Sequence, residues 1–438
     1  MGCMSTPEAA VKVAPAAVQP VPFKTSATAQ ATVDAAKLPS KPRIDCIDGC
    51  RFALVLPIVI AHFARFATKN RTLLKLFLQE NIIVGGFFVI SGYVAAYTAT
   101  KVGERSVEEK KLARPELFFW QKVMGYYPLH FLVSTVFAPM FIATERFYNT
   151  KIKTTALRAL LNYSLLQAWF PKEAEIWNQP TWFLSALTFC NFAMPLALPP
   201  VASLSKQGLR KLMCALTSIS VLQKLSYSES ALCFHSREIA STAPKHPLMW
   251  NLTRFHPIWA MMEMVMGVVA ARDAMLDTEE DKRQNKENPL VYFLAAHSTL
   301  LLRLTSFDYN DALIRSVLFV PLYTKFLTSM HRDCLREEPS ALTRFFGSKT
   351  MTWLGSLAFP IFILHGPIGQ MFYKKAIAQR LWGGPLPNSF FPVYLAIVLV
   401  CSAAMSEGFV KNRRVQLFAS QAAQRLATQT RGMLHDGA

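Results

Sequence analysis

The sequence has few charged residues. Only 17% of its 438 residues are Asp, Glu, Lys or Arg, whereas 52% are hydrophobic and 12% are aromatic. The mean hydropathy is +0.23, and a soluble protein of this length has more charge and fewer long apolar runs. The composition therefore excludes an ordinary soluble globular protein.

Acidic residues are scarcer than basic ones, with 28 Asp and Glu against 47 Lys and Arg and a net charge of +19. A basic chain can bind nucleic acid, but no recognition module of that kind is present in the sequence. Basic loops that set membrane topology and contact anionic headgroups explain the excess better. We therefore expect a lipid bilayer, and no nucleic acid, as a partner.

The sequence also lacks the patterns of several kinds of site. The eight cysteines are scattered, and the neighbouring Cys46 and Cys50 have no second Cys/His pair that would complete a zinc site. No serine or cysteine lies in a G-x-S-x-G context, so a covalent acyl-enzyme is not indicated. We therefore expect no bound metal and no bound cofactor.

Residues 1–43 contain almost no aromatic residues and no continuous apolar core, so they predict a disordered tail rather than a secretory signal. The opening "MGCMST" fits the pattern for myristoylation of Gly2, with Cys3 available for palmitoylation. A transit peptide poor in acidic residues is the alternative.

Apolar windows of about 17–25 residues, the length that crosses a bilayer, recur along the rest of the chain. They predict an all-α fold, a polytopic transmembrane helix bundle of about ten spans, and an integral, multi-pass membrane location. The transmembrane domain is predicted over residues 44–414, followed by a C-terminal tail at 415–438, and 277–288 is predicted as a solvated loop. The predicted spans are 51–68, 81–100, 116–143, 155–170, 181–200, 255–272, 289–304, 312–330, 351–373 and 390–410, with 209–225 as a further candidate.

The first span, in "DGCRFALVLPIVIAHF" (residues 48–63), contains Arg51 and His62, although ionisable groups are costly in hydrocarbon. Eleven positions on a helix return to nearly the same face about 16 Å along the axis, so both can face one cavity. Pro57 between them predicts a kink. Taken singly, a snorkelling arginine and a neutral histidine bonded to a helix carbonyl are the alternatives.

Two further segments carry small or polar residues inside apolar surroundings. "GGFFVISGY" (residues 85–93) allows another helix to approach closely, and Ser91 can form a hydrogen bond across that contact. "FFWQKVMGYYPLHF" (residues 118–131) contains Lys122 and His130 in an aromatic run. An interfacial aromatic belt with a snorkelling lysine also explains the second segment.

The order of these motifs resembles the acyltransferase-3 family of membrane O-acyltransferases. The resemblance covers about residues 44–414, and its later part consists of "TWFLSALTF" around Trp182 and Ser185, "RFHPIWAMMEMVMGVVAA", "WLGSLAFPIFILHGPI" ending near His365, and "SEGFVKNR". It implies an enzyme that transfers an acyl group, most commonly acetyl, from acyl-CoA as co-substrate to a hydroxylated acceptor.

Acyl transfer to a hydroxyl needs a base for the departing proton, and an imidazole can take it near neutral pH. The resemblance points to His62 for this role. The guanidinium of Arg51 suits the phosphates of the donor or can help to place His62. The residues that we expect at the donor or substrate are Lys122, Asp48, Ser91, Trp182 and His365.

The sequence departs from the family pattern at three places. Gly125 stands where an arginine is usual, Leu187 where a glutamate is frequent, and Ala358–Phe359 replaces a small hydroxyl residue and a tyrosine. These departures favour, as one alternative, a catalytically degenerate relative that moves or senses lipids. A transporter is the other alternative, because polar residues on bundle-facing helices also mark substrate paths. The acceptor, the acyl chain length, the host membrane and the oligomeric state are not fixed by the sequence.

Overall fold

The structure is a computed structural model that describes residue 41 and residues 43–230, 247–305 and 311–436. The chain divides into two units, residues 1–43 and residues 44–438, and the helices belong to the second. The predicted disordered tail, apart from positions 41 and 43, and the predicted lipidation site at Gly2 and Cys3 lie outside the described residues.

The described residues are almost entirely helical. Within those ranges there is no strand, and Thr100 and Val107 form an isolated bridge. Seven short 3₁₀ or π segments interrupt the α-helices, at Gln167–Trp169, Pro171–Glu173, Gln179–Thr181, Thr299–Leu304, Arg315–Phe319, Asn388–Phe390 and Ser406–Val410. The α-helices are α1 Asp45–Ala67, α2 Arg71–Phe77, α3 Glu80–Ala99, α4 Glu109–Leu112, α5 Pro115–Met124, α6 Tyr127–Phe147, α7 Ile152–Ser164, α8 Trp182–Ala202, α9 Lys206–Ser230, α10 Pro247–Phe255, α11 Pro257–Met275, α12 Glu279–Gln284, α13 Pro289–Ser298, α14 Asp311–Ile314, α15 Val320–Cys334, α16 Ala341–Phe346, α17 Lys349–Ser356, α18 Ala358–Tyr373, α19 Lys375–Trp382, α20 Phe391–Met405 and α21 Arg413–Asp436. The predicted all-α class is confirmed.

Five helical segments in the described ranges are long and apolar enough to cross a membrane, and the bent pair α17 and α18, which meet at 50°, gives a sixth if it is counted as one span. The five are Asp45–Ala67, Arg71–Ala99, Tyr127–Phe147, Gln179–Ala202 and Asn388–Val410. The prediction of about ten spans is therefore not confirmed.

Charged residues on interior helices account for part of this difference. Helix α11 has 19 residues but carries Glu263, Arg272 and Asp273, and it packs against α3, α8, α9 and α15. The side chain of Arg272 is fully buried and donates to the hydroxyl of Thr100 and the backbone carbonyl of Lys101. A helix that is surrounded by protein can satisfy its polar groups internally, so its composition is less apolar than that of a lipid-facing helix.

Two predicted spans have different bounds or lengths in the structure. The predicted 116–143 span is two helices, α5 and α6, separated at Gly125 and Tyr126. Pro128 lies in the first turn of α6, where its missing N–H costs no helix hydrogen bond. The predicted 155–170 span is α7, which at 13 residues covers about 20 Å, less than the roughly 30 Å of a hydrocarbon core.

The small residues of the 85–93 segment do bring two helices together. Helices α3 and α11 pack along much of their length, and a Cβ atom at Gly92 would overlap the carbonyl oxygen of Met264. A Cβ atom at Gly267 would likewise overlap the carbonyl oxygen of Val89. The close crossing therefore requires glycine on both helices, as small residues at helix contacts do in general.

The predicted C-terminal tail contains a long helix. Helix α21 packs on α5, with Ala423 and Ala427 buried in the contact face. The Trp120 indole N–H donates to the Thr430 hydroxyl over 3.0 Å. Leu417, exposed on the same helix, faces away from this contact.

Candidate active site

Helix α1 carries both ionisable residues of the first span. It runs as one α-helix from Asp45 to Ala67 and continues through Pro57. Near its start, Arg51 Nη1 contacts Asp48 Oδ1 at 2.9 Å, with 34% and 17% of the two side chains exposed. Asp48 therefore forms an ion pair with Arg51, which can hold the guanidinium in place and partly offset its charge.

At the other end of α1, His62 meets His365 of α18. The ring centroids are 5.1 Å apart and the ring planes are inclined by 58°. His365 is fully buried, whereas His62 is half-buried. A buried ring beside a partly accessible one places one imidazole deep in the protein and the other within reach of a substrate.

The hydrogen bonds of the two rings indicate which tautomer each neutral imidazole adopts. His62 Nδ1 lies 2.8 Å from the carbonyl oxygen of Ile58, and His365 Nδ1 lies 3.1 Å from that of Ile361. A carbonyl oxygen only accepts, so each Nδ1 carries the proton and donates it. In the neutral rings the lone pair is then on Nε2, and His365 Nε2 is buried without a hydrogen-bond partner. The nitrogen that can accept a proton is therefore Nε2 in both rings.

A glycine on α18 allows α1 to approach closely enough for this contact. Next to His62, the ring of Phe63 lies over Gly369, one turn beyond His365, and a Cβ atom at Gly369 would overlap that ring. The two helices pack along this side. The approach of the two histidines thus depends on the absence of a side chain at Gly369.

Pro367 places a second constraint on α18. A proline has no N–H, so the carbonyl of Ile363, four residues earlier, loses its helical donor. The side-chain amide of Asn178 donates to that carbonyl over 2.8 Å. Asn178 is fully buried and precedes the short Gln179–Thr181 turn, so this connecting segment is anchored directly to the helix that carries His365.

Aromatic rings cover one side of the pair. Phe63 packs against Tyr394 with ring centroids 5.3 Å apart, and Phe66 stacks on Tyr373 at 4.6 Å. The Tyr394 hydroxyl donates to the carbonyl oxygen of His365 over 3.3 Å. These contacts make the surroundings of His365 apolar and hold its backbone in position.

Lys122 lies within electrostatic range of Arg51, although the two residues are on different helices. Its ammonium group also sits 5.6 Å from the centre of the Phe118 ring. Its neighbour Gln121 helps to line a cavity of about 340 Å³ between α5, α6 and the C-terminal helix α21. Two cations and a cavity thus occur in the same part of the molecule.

Two other residues predicted at the donor or substrate lie in packing positions. The Ser91 hydroxyl donates to the carbonyl oxygen of Phe87, one turn earlier, over 2.7 Å. Trp182 is buried with its ring 4.7 Å from that of Phe255. His130, which the sequence left as a structural residue, is buried and bonded through Nε2 to the carbonyl oxygen of Asn162 at 2.9 Å. No hydrogen bond and no direct ring contact joins these three residues to the His62–His365 pair within the described part of the chain, and the predicted binding roles of Ser91 and Trp182 stay predictions.

Asn178 and Tyr394, which support His365 from distant segments, could not be identified from the sequence. The motif "WNQPTW" around Asn178 has polar residues beside a proline, but nothing in it identifies Ile363 as a partner. Among the described residues, no group of three or more His, Cys, Asp or Glu side chains is placed to hold a metal ion.

Comparison with known proteins gives one match. Residues 44–407 match the acyltransferase-3 family, described as an acyltransferase domain. No curated protein and no solved structure matches the chain. The matched region covers α1 to α20 and includes both histidines of the pair. The chain therefore belongs to the acyltransferase-3 family, and it is a membrane acyltransferase.

Proposed function

We propose that this protein is a multi-pass enzyme that transfers an acyl group, acetyl in the first instance, from acyl-CoA to a hydroxyl of a carbohydrate, lipid or small metabolite. The proton of that hydroxyl goes to His62, the oxygen attacks the thioester carbonyl, and the CoA thiolate leaves and is then protonated. The observation that carries the proposal is the half-buried His62 ring, whose Nδ1–H is committed to Ile58 and whose Nε2 is therefore the free base.

The position of His365 next to His62 supports the proposed role of His62 as the base. Its ring lies against that of His62, and its buried Nε2 has no hydrogen-bond partner in the described part of the chain. A substrate hydroxyl between the rings would donate to that nitrogen and give it a partner. Burial without a partner costs free energy, so a bound substrate that satisfies it is favoured.

Arg51 and Lys122 are proposed to hold the phosphates of the donor. A guanidinium binds phosphate through two parallel hydrogen bonds, and a lysine adds a point charge. Arg51 uses Nη1 for Asp48, and its remaining donors can serve a ligand. The cavity of about 340 Å³ is lined by Gln121, the neighbour of Lys122 in the sequence. Its volume is within the size range of ligand pockets, and we propose it as a place for part of the donor.

The test uses membranes that contain the wild-type protein, His62→Ala or His297→Ala, supplied with radiolabelled acetyl-CoA and a panel of hydroxylated acceptors. His297 is the matched control because its Nδ1 also donates to a carbonyl one turn earlier, that of Phe293, at 2.8 Å, and it too is half-buried. We expect labelled product from the wild type and His297→Ala, and a loss of about 10²–10⁴-fold in His62→Ala.

Equal labelling by the wild type and His62→Ala would exclude His62 as the base. If no variant labels any acceptor, but solute flux across vesicles requires the protein, the chain works as a transporter and the enzymatic proposal fails.

A further inference from the structure

A second cavity, of about 240 Å³, lies between helices α9, α11 and α15, away from the histidine pair. Its floor is apolar and includes Leu209, Val269 and Ala270, all of which are buried. Its polar lining consists of Arg210, Lys325, Asp273, Thr324, Thr328 and Cys214. The acyl transfer proposed above uses none of these residues.

The two cations of this cavity have no partner of their own. Arg210 and Lys325 are exposed, and neither forms a hydrogen bond or an ion pair with any described residue. The nearby carboxylate of Asp273 is already used, because it contacts Arg332 Nη2 at 2.8 Å. The hydroxyls of Thr324 and Thr328 donate to backbone carbonyls of their own helix. The cavity thus presents two unneutralised positive charges.

The position of the cavity relative to the helix ends indicates what neutralises these charges. One layer of ion pairs ties the ends of the three helices together: Lys206 to Asp277 at 2.6 Å, and Arg332 to Asp277 at 2.7 Å. At 1.5 Å per residue, Arg210 lies about 6 Å after Lys206 along α9, and Lys325 lies about 10 Å before Arg332 along α15. Both cations therefore lie one to two turns away from the charged layer, beside the apolar floor of the cavity, and the carboxylate that lines the cavity is already paired with Arg332.

We propose that this cavity binds one anionic phospholipid, with its phosphate between Arg210 and Lys325 and the start of its acyl chains on the apolar floor. A phosphate offsets both charges, and a zwitterionic headgroup would bring its own cation next to them. The floor formed by Leu209, Val269 and Ala270 requires an apolar ligand segment, which inorganic phosphate lacks. Basic pockets between membrane helices bind anionic headgroups in this way.

The test is native mass spectrometry of the full chain, purified in detergent and titrated with phosphatidylglycerol or phosphatidylcholine. The variant is Arg210→Gln/Lys325→Gln. The matched control is Lys211→Gln, because Lys211 is exposed next to Arg210 but does not line the cavity. We expect the wild type and the control to retain one phosphatidylglycerol, and the double variant to bind it roughly 10- to 30-fold more weakly.

A second readout needs no charge variant. Cys214 lines the cavity and is exposed, so phosphatidylglycerol should slow its alkylation by a maleimide in the wild type, as measured on the Cys214 peptide. Phosphatidylcholine, inorganic phosphate and coenzyme A should not slow it. This readout is independent of acyl transfer, so it can fail while the proposed enzymatic activity holds, and the reverse is also true.

Equal retention of phosphatidylglycerol and phosphatidylcholine by the wild type would overturn the proposal. So would an equal loss of binding in Lys211→Gln and the double variant, because attraction would then be general to the basic surface. Protection of Cys214 by coenzyme A in place of the lipid would assign the cavity to the acyl donor instead. If the double variant loses its native thermal transition, Lys325→Gln alone replaces it, with a smaller loss of binding expected.

Discussion

The imidazoles of His62 and His365 face each other with ring centroids 5.1 Å apart, although they come from opposite ends of the matched acyltransferase domain. Each ring donates Nδ1–H to a carbonyl of its own helix, which leaves the two Nε2 atoms for chemistry. One ring is fully buried and the other is half-buried. Packing therefore holds the His365 ring in position, while the His62 ring remains accessible from one side.

Replacing His365 by phenylalanine keeps a ring in the same place and removes the nitrogens. We expect His365→Phe to lower acyl transfer by about 10²-fold or more. Its thermal stability should be unchanged or slightly higher, because an unpartnered buried nitrogen is lost. Activity and the thermal midpoint Tm are measured on the same preparation. Full activity in His365→Phe would show that the ring serves packing alone.

Adding one methyl group at Gly369 should separate the two histidines. In Gly369→Ala the new Cβ overlaps the Phe63 ring, so the ring or the whole of α1 must shift, and overpacking of this kind costs about 1–3 kcal/mol. We expect a lower Tm together with lower activity. The control is Gly384→Ala, since a Cβ at Gly384 meets no atom within 4 Å. If both variants behave as the wild type, the close approach at Gly369 does not position the site.

The bond from Asn178 to Ile363 should depend on Pro367. Because of Pro367, the carbonyl of Ile363 has no backbone donor, and Asn178→Ala removes the side-chain amide that replaces it. An unsatisfied buried carbonyl costs about 1–3 kcal/mol. In a Pro367→Ala background the helix regains its own donor, so the same Asn178→Ala change should cost less. Denaturant unfolding of the four proteins gives the coupling between the two positions. Strict additivity would contradict this account of Asn178.

A buried ion pair on α11 allows a prediction about stability alone. Arg315 Nε donates to Glu263 Oε1 over 2.7 Å, and a second guanidinium nitrogen bonds the other carboxylate oxygen. The side chains are 8% and 4% exposed. Glu263→Met should destabilise by about 3–5 kcal/mol, because it leaves Arg315 charged and unpaired.

The double variant Glu263→Met/Arg315→Met provides the control for that ion pair. It should recover most of the loss, since no charge is then buried without a partner. Thermal unfolding in detergent is measured for the wild type and both variants. A double variant that is less stable than Glu263→Met would show that the pair itself supplies net stability.

The ion pairs at the ends of α9 and α15 should make the stability of the protein fall at acidic pH. Asp281 lies in the 277–288 segment, at the start of α12, and accepts from Lys206 at 2.8 Å and from the Thr278 backbone. The bond from Lys206, followed by those from Thr278, holds the pKa of Asp281 below its usual value of about 3.8. A carboxylate with a lowered folded pKa stabilises the protein fully above the unfolded pKa, and this contribution is lost as the pH falls through the folded value.

The measurement is Tm against pH, from roughly pH 5 to pH 3, for the wild type and Lys206→Met. Because Lys206 bonds Asp281 and lowers the pKa of its carboxyl, the wild type should lose more stability over this range than the variant. Parallel curves would mean that the ion pairs contribute nothing to folding at this surface.

The close packing of α3 could be predicted from the sequence, because small residues in a helix allow another helix to approach. Gly92 in "GGFFVISGY" indicates a close helix contact whatever its partner is. The predicted count of about ten spans is not confirmed, and one reason is that apolar windows do not show where a helix breaks. The break at Gly125 and Tyr126 depends on the helix start near Pro128, and the short α7 ends at Ser164, before Leu165, which has a positive φ.

The sequence by itself determined the all-α class, the first helix with Arg51 and His62, and the family through the order of its motifs. Only the tertiary structure brought His365 to His62, placed Asp48 on Arg51 and supplied Asn178 as the donor for the carbonyl left free by Pro367. The physical reason is that periodicity and composition record what each segment buries. Which side chains meet depends on helix packing, and here that packing depends on close approaches such as the one at Gly369.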